Sequence, residues 1–500
     1  MGGRVLTGVS ELDSLLGGGF PKGSLILVAG NPGTGKTVFS ARFLYSGAAE
    51  YGESGIYVSF SESRETFIEN MSGFGFNFEK MEKEGKFKYI DMTAVREAGI
   101  SSILNVILET IHKMKAKRLV IDSFSAMVQA FEKPIDARIV IHLVLSKMVR
   151  MAQCTTMLVV EVPVGSERIG LAIEEFVADG VLIFRRDRIK GRLLRRIEIL
   201  KMRGARITQY SRLFTIEGGF NVLPCFTSRT VKAPRKFKPS KDTPTHFSSG
   251  IKELDEILGG GFPRGSIILL EVEDNVPRGG VSSILNPIRL NFVNNGNGVF
   301  CVPSAGLSGE YVKESLKPFA EKSLFDKNLQ IAEFGEEPQK PNLIPLRGRS
   351  AIDDYEKFWE QVSTFKAKTG KPVLMTIGYD TLEYRYPKDS STLIQLMVEM
   401  AKKIRANGDL KINIIRPFLK ITPHARYISD LHFNLVEVDG SLCLYGVKPR
   451  TKRRWLPHPP RQSDEPNPGT GTSAFIRSLR YLLTSHSMRS SVSTVMTALT

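Results

Sequence analysis

Residues 30–37 read Gly-Asn-Pro-Gly-Thr-Gly-Lys-Thr, and this stretch fits the pattern GxxxxGK[ST] of a phosphate-binding P-loop. An apolar run at 25–29 comes directly before the motif, and a helical pattern over 38–46 comes directly after it. Glycines in such a loop let consecutive backbone N–H groups point at phosphate oxygens where the helix begins. The stretch therefore predicts a strand, a phosphate-binding loop and a helix, with ATP as the expected ligand.

Residue types in the loop and beyond it indicate how ATP and Mg²⁺ would be held. The residues assigned to nucleotide binding are Gly30, Asn31, Pro32, Gly33, Thr34, Gly35, Lys36 and Thr37. Lys36 is expected to bridge the β- and γ-phosphates, and the Thr37 hydroxyl is expected to reach Mg²⁺. The segment 118–123, Arg-Leu-Val-Ile-Asp-Ser, reads as an apolar strand that ends in a carboxylate. A strand-end aspartate is otherwise most often a helix cap, but behind a P-loop Asp122 is the expected second Mg²⁺ residue.

An internal repeat divides the chain into two halves. Residues 8–28, GVSELDSLLGGGFPKGSLILV, return at 250–270 as GIKELDEILGGGFPRGSIILL without a gap. Each copy reads as a short amphipathic helix, a glycine turn and a buried apolar strand. In the first half, apolar strands alternate with helical patterns, which predicts a parallel sheet covered by helices on both faces. We therefore expect an α/β protein of two tandem domains that arose by duplication.

Composition gives the expected domain boundaries. The first domain spans 1–226, and the segment 227–245, rich in Pro, Lys, Ser and Thr, is expected to be an exposed basic linker. The second domain spans 246–455. From 456 to 500 the chain turns to Pro, Ser, Thr and Gly, so this tail is expected to be disordered.

The second domain lacks both halves of the phosphate site. Continuing the gapless alignment places 272–279, Val-Glu-Asp-Asn-Val-Pro-Arg-Gly, on the P-loop, and this window has lost the glycine frame, the lysine and the hydroxyl. The strand that corresponds to the magnesium element offers Gly378 in place of Asp122. The acidic residues within and next to the window, which would repel phosphate, are Glu271, Glu273 and Asp274. The second domain is therefore predicted to be a degenerate pseudo-ATPase domain.

Motifs of the first domain resemble those of the KaiC family of RecA-like ATPases, in the same order and spacing along 4–222. They are GGGFPKGS, the P-loop, LVIDS, IEEFVADGVLIF and ILKMRG. The resemblance implies two tandem RecA-like P-loop domains, with ATP held between neighbouring subunits of a homo-oligomeric ring of hexamer size. It also implies that Lys201 and Arg203 reach across to the γ-phosphate held by the neighbour.

One position departs from the family pattern. KaiC-like proteins usually carry paired glutamates after the strand that follows the P-loop helix, whereas this chain has Ser61 followed by Glu62. A serine cannot accept a proton from the attacking water as a carboxylate can, so activation of water must either fall to Glu62 or be weak. We therefore expect an ATPase with slow hydrolysis. The expected catalytic residues are Lys36, Glu62, Lys201 and Arg203.

The formal net charge of +17 would attract polyanions, so nucleic acid, anionic membrane and ATP are all considered as partners. The basic segment over 185–206 has three interpretations: a solvated hairpin, a phosphate sensor for the neighbouring subunit, or a nucleic-acid contact. Few aromatic residues interrupt it, which disfavours base stacking. No apolar run is long enough to span a membrane, so we expect a cytoplasmic protein without a membrane partner. The four cysteines are scattered singly, which predicts reduced thiols and no structural metal.

Three hypotheses for function remain open. The leading one is an oligomeric ATPase in which ATP binding and slow hydrolysis change an assembly that signals to an unknown protein partner. The layout of the chain, with one intact P-loop domain, one degenerate domain and arginine-rich segments, also resembles that of GvpD, the archaeal gas-vesicle regulator. This second resemblance favours a nucleotide-gated binding protein with negligible turnover. The third is a DNA-dependent RecA-like ATPase, which the charge favours but no base-reading motif supports.

Overall fold

The chain divides into two compact units, Met1–Pro224 and Cys225–Thr500. In the described part of the chain no helix is long and apolar enough to cross a membrane. The computed structural model describes residues 3–93, 100–129, 152–163, 165, 178–227, 234–304, 306–335, 342–449 and 494–496.

The first unit is built on a nine-stranded sheet with the P-loop strand near its centre. Across the sheet the strand order is β11-β10-β9-β8-β3-β7-β6-β4-β5, while β1 and β2 form a separate antiparallel pair. From β8 to β5 neighbouring strands are parallel, and β9, β10 and β11 continue the sheet antiparallel. The strands are β1 (Arg4–Val5), β2 (Phe20–Pro21), β3 (Leu25–Gly30), β4 (Gly55–Ser59), β5 (Phe87–Asp91), β6 (Arg118–Asp122), β7 (Thr155–Glu161), β8 (Gly180–Ile189), β9 (Arg192–Met202), β10 (Ser211–Thr215) and β11 (Asn221–Val222).

Apolar clusters lie on both faces of this sheet. On one face the P-loop helix packs Phe39 and Phe43 into a cluster with Phe184 of β8, and all three rings are fully buried. The other face carries a second cluster that includes Leu27 and Ile121. The described helices are Ser10–Leu15, Lys36–Glu50, Arg64–Ser72, Phe78–Lys83, Ile100–Met114 and Phe124–Gln129. The predicted parallel sheet between helical layers is confirmed.

The second unit repeats this plan. Its sheet has the order β17-β16-β15-β18-β19-β14-β20-β21-β22. The strands are β12 (His246–Phe247), β13 (Phe262–Pro263), β14 (Ile267–Val272), β15 (Gly298–Val302), β16 (Leu329–Phe334), β17 (Leu343–Leu346), β18 (Val373–Gly378), β19 (Leu410–Ile415), β20 (Leu431–Val438), β21 (Ser441–Lys448) and β22 (Thr494–Met496). The described helices are Lys252–Ile257, Arg278–Asn294, Gly309–Leu316, Lys322–Asn328, Ala351–Thr369, Tyr379–Arg385, Ser390–Asn407 and Thr422–Ile428.

The duplication is visible in the strand order and in matching hydrogen bonds. The run β5-β4-β6-β7-β3-β8-β9 in the first sheet corresponds to β16-β15-β18-β19-β14-β20-β21 in the second. At the start of β3 the Leu25 N–H donates to Asp179 at 3.0 Å, and at the start of β14 the Ile267 N–H donates to Asp430 at 2.8 Å. A second shared hydrogen bond lies at the start of each repeat. In the first unit the Thr7 N–H donates to Asp13, and in the second unit the Ser249 N–H donates to Asp255. Both units therefore keep the same architecture although their sites differ.

The described part of the predicted linker differs from a freely exposed segment. Phe237 is only 8% exposed and belongs to the main apolar cluster of the second unit. Its N–H donates to the Phe319 carbonyl at 2.8 Å, and the Ser240 N–H donates to the Asn291 side chain at 2.7 Å. The segment is therefore held on the second unit by the buried Phe237 ring and by hydrogen bonds. Of the predicted disordered tail, 494–496 form β22 and the remaining residues lie outside the described ranges.

Candidate functional site

The P-loop lies at the carboxyl end of β3, between the strand and the helix Lys36–Glu50. Gly35, at the N-cap of that helix, has a φ of 106°, and Gly33 has a φ of 73°, which are backbone conformations that favour glycine. A methyl group on Gly30 would lie 2.3 Å from the Phe184 carbonyl oxygen. Each of these glycines is therefore required by the local geometry, as the P-loop pattern predicts.

Lys36 is folded back onto its own loop. Its amine donates to the carbonyl oxygens of Gly30 at 2.8 Å and Asn31 at 3.0 Å. Burial lowers the pKa of Lys36, while the negative charges of Glu161 and Asp122 oppose that shift. The amine is thus held at the mouth of the loop by two neutral acceptors, and a phosphate oxygen would replace them with stronger, charge-assisted bonds.

Thr37 and Asp122 lie together beside the loop, as the sequence predicts for a magnesium site. The Thr37 hydroxyl donates to Oδ2 of Asp122 at 2.9 Å, and the Tyr57 hydroxyl donates to the same oxygen at 2.6 Å. Burial raises the pKa of Asp122, and the hydrogen bonds from Tyr57 and Thr37 counteract that shift. A hydroxyl and a carboxylate oxygen in contact suit Mg²⁺, which binds few protein oxygens and keeps the rest of its shell for water and phosphate. Among the described residues there is no cluster of three His, Cys, Asp or Glu that would indicate another metal.

Glu62 lies close to this carboxylate, just beyond the end of β4. The Ser59 hydroxyl accepts the N–H groups of Ser61 at 3.3 Å and Glu62 at 3.1 Å, which fixes the turn that carries the glutamate. Burial and the charge of Asp122 raise the pKa of Glu62, and a hydrogen bond with Asn70 partly offsets the rise. Ser61 is exposed, so its side chain leaves the position of the family's other carboxylate open to solvent.

Arg203 lies at the opposite end of β3 from the P-loop, and Lys201 lies partway along the sheet, at the level of Leu27. Lys201 pairs with Val181 on β8, and the Arg203 N–H donates to the Asp179 carbonyl beside the start of β3. Arg203 also forms an ion pair with Asp179 at 3.0 Å, and its side chain is 52% exposed. Along β3, five residues separate the level of Arg203 from Gly30 and three separate the level of Lys201 from it, or roughly 16 and 10 Å at ~3.3 Å per residue. The structure therefore does not bring either residue to the phosphate site of its own chain.

The basic segment over 185–206 includes the second half of β8, the turn after it and all of β9, which pairs antiparallel with β8. Some of its charge is paired internally, because Arg185 lies 2.8 Å from Glu198 and Arg196 lies 3.4 Å from Asp187. The hairpin interpretation of the segment agrees with this geometry, whereas its contacts with a neighbour or with nucleic acid stay predictions.

Sequence reasoning missed three residues near the loop: Tyr57, Glu161 and Arg186. Tyr57 is fully buried and aims its hydroxyl at Asp122. Glu161 ends β7, and its charge acts on both Lys36 and Asp122. The rule that ligands bind at the carboxyl ends of parallel strands would have found Glu161, since β7 is the strand beside β3.

In the second unit the sheet register places Gly378 at the level of Asp122. Leu25 of β3 and Leu119 of β6 both pair with Thr156, and their counterparts Ile267 and Met375 both pair with Lys411. Three residues further along each strand come the aspartate in one unit and the glycine in the other. The absence of the magnesium carboxylate from that position agrees with the sequence alignment.

Glu271 corrects one expectation about the second unit, because its charge is neutralised and does not face the window as a free anion. Arg426 donates to both carboxylate oxygens at 2.9 and 2.6 Å, and His432 lies 3.0 Å from one of them. Burial opposes ionisation of this carboxyl, but the hydrogen bonds from His432 and Arg426 outweigh it and lower the pKa of Glu271 to about 2. Near its end, β14, the strand that corresponds to the P-loop strand, therefore carries an internal ion pair between Glu271 and Arg426.

We expect Arg426→Met to destabilise the protein, because Glu271 is 1% exposed and would lose its bidentate partner. Breaking a fully buried pair costs about 3–5 kcal/mol. The Arg426 side chain is 46% exposed, so solvent screening reduces the expected loss to about 2 kcal/mol. Urea unfolding of the full chain at pH 7 measures it.

The control for this variant is Lys252→Met, which removes an exposed i,i+4 pair with Glu256 at 3.8 Å and should change stability by less than ~0.5 kcal/mol. The stability from Glu271 is present above its unfolded pKa of ~4.3 and is lost as the pH falls toward its folded pKa of about 2. The two variants should therefore converge in acid. Equal stability of parent and Arg426→Met at pH 7 would show that the pair is dispensable.

Comparisons with known proteins find similarity in both units of the chain. A model of the KaiC ATPase family matches residues 5–224, and a model of GvpD basic region 2 matches residues 236–357. The chain is 33% identical over 273 residues to the circadian clock oscillator protein KaiC of Thermostichus vulcanus. It is 31% identical over 274 residues to the protein of the same name from Synechococcus elongatus.

Both alignments cover 53% of this chain and 51% of the relative, so the chain spans about half the length of the curated relatives it matches. A crystal structure of a KaiC-like protein from the archaeon Pyrococcus horikoshii is 36% identical. That match covers 45% of this chain and 100% of the archaeal chain, with a TM-score of 0.41.

Proposed function

We propose that the protein binds MgATP in its first domain, which a model of the KaiC ATPase family matches over residues 5–224, and hydrolyses it slowly. Binding and hydrolysis would drive a change in assembly that signals to a partner protein. The observation that carries the proposal is the contact of the Thr37 hydroxyl with the Asp122 carboxylate at 2.9 Å, beside an intact P-loop. Strand, loop and helix bring a hydroxyl and a carboxylate that are 85 residues apart in the sequence into contact, which supports the proposal of a magnesium site there.

Each residue of the site has a proposed part in this chemistry. Bound MgATP supplies the phosphoryl group and the cation that offsets its charge. Lys36 moves from its backbone acceptors to the phosphates, Thr37 and Asp122 hold the cation, and Glu62 takes the proton of the attacking water. Lys201 and Arg203 reach the site of a neighbouring subunit, a proposal that their separation from their own loop supports. A ring of like subunits, with a hexamer as the expected size, follows from that arrangement.

We expect that Arg203→Ala and Lys36→Ala each abolish most ATP hydrolysis alone and restore part of it when mixed. In a mixed ring some interfaces contain an intact P-loop from one chain and an intact Arg203 from the other. Phosphate release and particle size are measured on the same samples, with and without MgATP. The control is a mixture of Arg188→Ala and Lys36→Ala chains, in which every chain keeps Arg203. Each site with an intact P-loop in that mixture should hydrolyse ATP at the parental rate.

Mixed rings can be demonstrated by co-purification of differently tagged chains. If such rings form and the Arg203→Ala and Lys36→Ala mixture stays inactive, the shared-site proposal is wrong. Release of phosphate by particles of monomer size would contradict the ring itself.

A second candidate function is a nucleotide-gated regulatory protein with negligible turnover. The match of residues 236–357 to GvpD basic region 2 favours it. The second unit also favours it, because this unit keeps the fold but has the Glu271–Arg426 ion pair near the end of β14, the strand that corresponds to the P-loop strand. ATP-dependent change of size without phosphate release would support this candidate over the first. A DNA-dependent ATPase is the third, and its signature would be stimulation by single-stranded DNA that disappears at higher salt.

A further inference from the structure

Arg186 is the basic side chain of β8 that approaches the P-loop. Gly30, at the end of β3, pairs with Phe184, so β8 runs past the loop at that level. A methyl group built on Gly33 would lie 3.1 Å from Nη1 of Arg186. The guanidinium is therefore in contact range of the loop backbone that is expected to surround the phosphates.

Arg186 also lies on the face of the sheet that carries the P-loop helix. Side chains alternate along a strand, so Phe184, Arg186 and Arg188 share one face. The Phe184 ring packs on Phe39 of that helix with centroids 5.4 Å apart, which identifies the face. Arg188 shares the chemistry and orientation of Arg186 but lies one strand repeat, roughly 6.6 Å, further from the loop.

The charge of Arg186 is uncompensated in the described part of the chain, where its neighbours Arg185 and Asp187 have partners of opposite charge. Arg186 forms no ion pair or hydrogen bond with a described residue, and its side chain is exposed. A free, planar cation with several donors next to a loop of backbone N–H groups is suited to bind phosphate oxygens.

We propose that Arg186 is a ligand-binding residue of the nucleotide site, which binds the phosphate tail of ATP held by its own chain. This inference rests on the proposed function and deepens it, because it adds a cation in cis to the residues that a neighbour would supply. The ligand class is a nucleoside triphosphate recognised through its phosphates and not through its base.

The test is the affinity of Arg186→Gln for MgATP, measured by competition with a fluorescent ATP analogue. A hydrogen bond to a charged group contributes enough that its loss should raise the Kd about tenfold. Arg188→Gln is the matched control and should change the Kd less than about twofold. Arg186→Lys should recover part of the affinity, and inorganic tripolyphosphate as competitor should show the same loss as ATP in Arg186→Gln.

Parental affinity in Arg186→Gln would overturn the inference, and so would an equal loss in Arg188→Gln. A loss for ATP without a loss for tripolyphosphate would overturn it as well, because it would place Arg186 against the base or ribose. If the parent itself binds no MgATP, the proposed function fails together with this inference. If the parent and Arg186→Gln bind equally well, only the inference fails.

Discussion

Glu62→Gln should lower the rate of ATP hydrolysis by about 10²- to 10⁴-fold while leaving the affinity for ATP nearly unchanged. The amide keeps the size of the carboxyl but cannot accept a proton from the attacking water. Binding should persist, because the nucleotide is expected to be held by Lys36, Thr37 and Asp122 without help from Glu62. Steady-state phosphate release and an independent Kd for MgATP separate the two effects.

The companion variant is Ser61→Glu, which introduces the second carboxylate expected from the sequence pattern and should raise the rate. Ser61 is exposed, so the longer side chain has room. If Ser61→Glu is no faster than the parent although it folds and binds ATP, Ser61 does not limit turnover. If Glu62→Gln keeps the parental rate, another group accepts the proton.

The acid limb of the pH–rate profile tests the same assignment. Glu62 can act as a base only when it is ionised, and burial together with the charge of Asp122 raises its pKa. The rate should therefore begin to fall at a higher pH than an ordinary glutamate would give, and Glu62→Gln should remove that limb.

One MgATP should bind per chain, and Lys36→Ala should raise the Kd by roughly 100-fold, since the proposed role of its amine is to form charge-assisted bonds with phosphate oxygens. The stoichiometry follows from one intact P-loop in the first domain and one degenerate window, 272–279, in the second. The strand that leads into this window carries the Glu271–Arg426 ion pair near its end. Isothermal titration calorimetry measures both quantities.

The matched control for Lys36→Ala is Arg278→Ala. Arg278 occupies the corresponding position in the repeat, and both residues begin a helix. Its replacement should leave the stoichiometry and the Kd unchanged. Two molecules of ATP per chain, with one site surviving in Lys36→Ala, would contradict the pseudo-ATPase interpretation of the second domain.

The sequence predicted those parts of the protein that depend on local rules. The P-loop was predictable because its glycine positions, lysine and hydroxyl are all set by the backbone conformation and the helix start. The contact of Thr37 with Asp122 was predictable because both follow strands of one parallel sheet. The two-domain architecture followed from the repeat, whose turns and strands recur without a gap.

Side-chain contacts between residues far apart in the chain could not be predicted from the sequence. That Tyr57 donates to Asp122 depends on the order of β4 and β6 in the sheet, which periodicity does not reveal. The pairing of Glu271 with Arg426 joins residues 155 positions apart in the chain. The sequence alone therefore predicted Glu271 to be an unpaired charge. The apparent linker was judged on composition, which cannot show where one phenylalanine finds a pocket.

Phe237 also decides where the second half of the chain can be cut for separate study. A fragment that starts at 246, where composition alone would cut, leaves behind an aromatic ring that is 8% exposed in the intact chain and opens a hole in the apolar cluster around it. It also strips the Asn291 side-chain oxygen of its donor, the Ser240 N–H. A fragment that starts at 234 keeps both, and is the better choice for expression, crystallisation and binding assays on that half.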